Sequence, residues 1–65
     1  MAQAIGEAAG KIWSYLNENG DASVSAVVRK TGLNRAVAER AIGWLAREDK
    51  LVIEKQKNAE IVRLR

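Results

Sequence analysis

Sixty-five residues without Cys or His exclude disulfides, Cys/His zinc sites and imidazole acid–base chemistry, and they bound the chain to one small domain. A net charge of +3, from 11 Lys and Arg against 8 Asp and Glu, permits contact with phosphates without demanding it. No apolar run approaches a membrane span and no leader with a cleavage site is present, so a cytoplasmic location and no membrane contact are expected.

The basic residues are unevenly spread. Residues 1–20 hold Glu7 and Glu18 against Lys11, whereas residues 51–65 hold Lys55, Lys57, Arg63 and Arg65 against Glu54 and Glu60. No metal-ligand cluster, Gly-rich phosphate loop or carboxylate pair with an evident pocket occurs, so neither a cofactor nor enzymatic activity is expected.

Residues 3–18 have a helical period: Ile5, Ala8, Ala9, Ile12 and Leu16 form an apolar face, and Glu7, Lys11, Ser14 and Glu18 lie elsewhere. Asn19-Gly20 ends this helix, since Gly takes the left-handed conformation that many helix C-termini need. Gly6 and Gly10 lie one turn apart, with Trp13 continuing their side. A helical Gly costs about 1 kcal/mol, which only close approach offsets, either by the domain's own elements or by a second chain.

Residues 21–24 are too short for an independent strand but long enough to add a third strand to a later hairpin, with Val24 inward. Ser25 stands where a helix N-cap is expected. A short second helix over 26–31 contributes Val27 and Val28, Gly32 closes it, Leu33 plugs inward and Asn34 caps a third helix. On the third helix Ala38, Ala41, Ile42 and Leu45 fall at i, i+3, i+4 and i+7, facing the first helix, and the small Ala38 and Ala41 allow helices to cross closely. Two helices joined by Thr31-Gly32-Leu33-Asn34 form a helix-turn-helix over 25–48, whose second helix is the one able to enter a DNA groove.

After Asp49-Lys50 the period changes to two. A turn at Lys57-Asn58, with Asn tolerating positive φ, pairs Leu51 with Leu64, Ile53 with Val62 and Lys55 with Glu60. That register turns Leu51, Ile53, Val62 and Leu64 to the core and leaves Val52 and Ile61 on the outer face. With Trp13, Tyr15 and Trp44, these two form a candidate dimer surface; the alternative for both Trp residues is peripheral core.

The phrases TGLNRAVAERAIGWLAREDKL and KIWSYLNENGDASVS resemble small stand-alone winged helix-turn-helix domains of bacteria and archaea, and IGWLARE most resembles a family known as a domain of unknown function. The resemblance covers nearly the whole chain. It implies a mainly α fold with a small β-sheet, a three-helix core plus a C-terminal β-hairpin wing, in residues 1–65. Such domains usually carry Gly where this chain has Asp49, a residue that tolerates the left-handed region better than most.

The resemblance also implies a recognition helix with Arg35, Ala36, Glu39 and Arg40 toward double-stranded DNA. Arg35 or Arg40 suits guanine, Glu39 suits cytosine N4 and Ala36 a thymine methyl. Phosphate anchors would be Arg29, Lys30, Lys55, Lys57 and Arg63. Few polar base readers and the repelling Glu39 suggest modest affinity, raised by a homodimer or another protein partner. The expected function is a DNA-binding domain of a small transcriptional regulator or chromosome-associated protein. The alternative is a protein-interaction module on the same scaffold, favoured by Ala36, Val37 and Trp44 beside the reading face.

Overall fold

The computed structural model describes residues 2–65. Helix α1 spans Ala2–Asn19, strand β1 Ala22–Ser23, helix α2 Val24–Thr31, helix α3 Arg35–Arg47, strand β2 Leu51–Gln56 and strand β3 Ala59–Leu64. Each boundary has a local cause. Gly20, at φ 83°, ends α1 with its N–H donating to Leu16 O at 2.8 Å. Gly32, at φ 72°, does the same for α2 through Val28 O. Asn34 Oδ1 accepts from the N–H groups of Ala36 and Val37 and so caps α3.

The α2 cap is Ser23, not Ser25. Ser23 is extended (φ −72°, ψ 157°) because it pairs with Ile61 of β3, and its Oγ accepts from the Ala26 N–H at 3.1 Å. Helix α2 therefore starts at Val24, two residues earlier than expected, and Ser25 lies exposed in its first turn.

The C-terminus of α3 closes as a Schellman motif. Lys50 N–H donates to Leu45 O at 2.9 Å and Asp49 N–H to Ala46 O at 3.1 Å, with Asp49 at φ 65°. The expected left-handed Asp is thus present. The wing turn differs: it is the two-residue Lys57-Asn58 turn, but neither residue has a positive φ. Negative φ spares both residues the left-handed cost of about 1–2 kcal/mol.

The sheet has the order β1-β3-β2 and is antiparallel throughout, with Ala22 opposite Val62. The pairs Leu51–Leu64, Ile53–Val62 and Lys55–Glu60 have the register read from the period-two pattern. Ala8, Ala9, Ile12 and Leu16 of α1 meet Ala38, Ala41, Ile42 and Leu45 of α3, with Val24 and Val27 of α2 and Leu51 and Val62 of the sheet completing the buried core. Burial of each large aliphatic contributes about 1.5–3 kcal/mol. No polar or charged side chain is buried among the described residues.

Two packing expectations change. Ile53 is 40% exposed because β2 runs past the helices: Leu51 is buried, Val52 half-buried and every residue from Ile53 to Gln56 exposed. A Cβ added at Gly6 or Gly10 would meet nothing within 4 Å, so close packing inside the domain does not account for either glycine.

Candidate nucleic-acid interface

The exposed side of α3 carries Arg35, Ala36, Glu39, Arg40 and Gly43, all in solvent. Arg35 opens the helix because Asn34 caps it, and its Nε donates to Glu39 Oε2 at 2.9 Å across one turn. This pair turns Glu39 toward a protein cation, and the Arg35 Nη groups remain available to a ligand.

The hairpin register places Lys55 and Glu60 on the sheet face that looks toward the helices, with Ile53 beside them. Lys55, Lys57 and Asn58 of the wing then line one cleft of about 570 Å³ with Arg35 of α3 and Ser25 of α2. Lys55 and Glu60 stand opposite but form no ion pair within 4.0 Å, and Lys57 has none either, among the described residues. Next to the cleft, a smaller recess of about 190 Å³ is lined by Glu39 and Gly43 of α3 and by Ile53 and Glu60 of the wing.

Other expected phosphate anchors lie apart from this cleft. Lys30 borders a groove with Lys11, Tyr15 and Glu18 of α1. Arg63 is on the opposite sheet face, 3.5 Å from Glu54. Arg29 is exposed in the last turn of α2, where a cation complements the helix dipole. Arg40 is exposed on α3 and makes no ion pair among the described residues.

The candidate dimer residues also separate. Trp13 and Trp44, 42% and 44% exposed, share a groove of about 600 Å³ between α1 and α3 with Gly6, Gly10 and Lys50. Tyr15 packs against the core and borders the Lys30 groove instead. Val52 and Ile61 are half-buried on the outer sheet face.

Ser25, Glu60 and Ile53 join this surface although none of them was expected there. The Lys55–Glu60 register contained the signal for Glu60. For Ser25 the signal was the other serine two residues earlier, equally able to cap.

Three helices over a three-stranded sheet, with a hairpin beside the third helix, define a winged helix-turn-helix domain. The chain belongs to the winged helix-turn-helix domain family DUF2582, which matches residues 1–64. It is similar to protein MJ1608 of Methanocaldococcus jannaschii, 44% identical over 64 residues that cover 94% of this chain and 90% of the relative. Among solved structures it is similar to protein BT2368 of Bacteroides thetaiotaomicron, with a TM-score of 0.85, 37% identity and coverage of 95% of this chain and 76% of that one. The Zalpha domain of Carassius auratus PKZ, solved in complex with Z-DNA, shares the fold at a TM-score of 0.84 and 21% identity, covering 95% and 98% of the two chains. No helix among the described residues is long and apolar enough to cross a membrane.

Proposed function

We propose that this domain binds double-stranded DNA through the exposed side of α3 and the wing. In this reading it is a small cytoplasmic transcriptional regulator or chromosome-associated protein, working by binding rather than catalysis. The observation that carries the reading is the convergence of Arg35 with Lys55 and Lys57 at one cleft. Cations gathered from two elements distant in sequence suit a backbone phosphate better than isolated surface charges do. The Zalpha domain's complex with Z-DNA supports nucleic acid as a ligand class that this scaffold serves.

One domain of net charge +3 offers few phosphate contacts, so two copies would act together. The Trp13–Trp44 groove shares no residue with the Arg35–Lys57 cleft, and a homodimer through it leaves both clefts free. The same exposed groove favours a second reading, in which the domain docks onto another protein and not onto DNA. Titrating a generic duplex into isotope-labelled protein separates them. DNA binding moves amides along α3 and the wing turn; a duplex that moves none of these removes the reading.

A further inference from the structure

The cleft between α2, α3 and the wing has more in it than the charges expected of a recognition surface. Three cations, Arg35, Lys55 and Lys57, line it against one acid, Glu60. Arg35 has only its Nε engaged, by Glu39. Ser25, exposed in the first turn of α2, brings a hydroxyl that capping does not use, because Ser23 performs that role. The backbone N–H group of Ser25 sits at the same helix start, where no carbonyl of the helix reaches it.

The cleft is also bounded. Further along α3, Glu60 at the edge of the cleft is joined by Glu39 and Ile53, and the added carboxylate opposes a second phosphate there. Lys30 and Arg63, which would extend a basic track, lie in another groove and on the other sheet face.

Building on the DNA-binding reading, we propose that this cleft seats a single phosphate group of a nucleic-acid backbone. Arg35, Lys55 and Lys57 share that one phosphate, and Ser25 donates to it from α2. Helix α3 and the wing thereby grip one point on a strand, and the Glu39–Glu60 recess turns the neighbouring phosphates away.

Sharing has a measurable signature. Each phosphate neutralised on B-DNA contributes about 0.9 to the slope of log affinity against log salt. Three cations on one phosphate count once. The triple variant Arg35→Gln, Lys55→Gln, Lys57→Gln should lower the slope by about 0.9 for each domain bound, whereas three separate phosphates would lower it by about 2.7 for each domain. Ser25→Ala should weaken binding by about threefold to tenfold, the range of a net hydrogen bond, and Lys30→Gln should leave the slope unchanged. All five side chains are exposed, and circular dichroism confirms that each variant is folded.

A duplex that binds with additive slope losses, or with Lys30→Gln as harmful as Lys57→Gln, overturns the seat and leaves DNA binding standing. If the wild type binds no duplex, the DNA reading falls and inorganic phosphate decides the seat through amide shifts. Shifts centred on Ser25, Arg35 and Lys57 then support a phosphate seat whose source is a free anion; shifts absent or spread along α1 overturn it.

Discussion

Arg35 and Glu39 face each other across one turn of α3, the Arg35 Nε donating to a Glu39 carboxylate oxygen at 2.9 Å. Both side chains are more than half exposed, at 58% and 54%, so the pair contributes only about 0.3–0.5 kcal/mol to the fold. Its larger consequence is electrostatic, because it holds a carboxylate on the exposed side of α3 that we propose meets DNA. Glu39→Gln should leave urea unfolding within about 0.5 kcal/mol of wild type while strengthening binding to a generic duplex. Weaker binding by this variant would mean that Glu39 itself contacts a base.

The two serines at the start of α2 should behave oppositely. Ser23 satisfies the Ala26 N–H, so Ser23→Ala should cost about 1 kcal/mol. Ser25 caps nothing, and Ser25→Ala should stay within about 0.5 kcal/mol in the same urea titration. A larger loss for Ser25→Ala than for Ser23→Ala would return the cap to Ser25.

Gly6 and Gly10 make no close approach to their own domain. Replacing either by Ala should therefore raise stability at low protein concentration, by up to about 1 kcal/mol from helix propensity. A fall would show that these positions are packed against something, and sedimentation at rising concentration would identify a second copy as the cause.

Asp49 is the one non-glycine residue with positive φ among those described. Its ion pair with Arg65, at 2.9 Å, is largely exposed and worth little. Asp49→Gly should thus be neutral or stabilising by up to about 1 kcal/mol, and Asp49→Val destabilising by more than that, since a β-branched residue is a poor fit to the left-handed region. Thermal unfolding of the pair, read against wild type, gives the order.

Much of this architecture was legible because two periods alternate cleanly. Ala38, Ala41, Ile42 and Leu45 are all buried, and the Leu51–Leu64 register follows from strict alternation. The misses share a cause, namely information held between elements. Ser23 rather than Ser25 caps α2 because β1 pairs with β3 and extends Ser23. Ile53 is exposed because β2 outruns the helices, and no strand pattern states the length of the layer beneath it. The candidate site was legible in part. The resemblance nominates Arg29, Lys30, Lys55, Lys57 and Arg63 together as phosphate anchors, and only the fold gathers Lys55 and Lys57 with Arg35 while placing Lys30 in another groove and Arg63 on the other sheet face.

The most direct test of the account is fluorescence anisotropy of wild-type protein with a generic duplex across a salt series. Contact with two or more phosphates predicts a linear log–log fall, at least about tenfold between about 50 and 200 mM salt at about 0.9 per phosphate. Anisotropy that stays flat at low salt and micromolar protein would contradict DNA binding by α3 and the wing, and would leave the Trp13–Trp44 groove as the surface through which the domain acts.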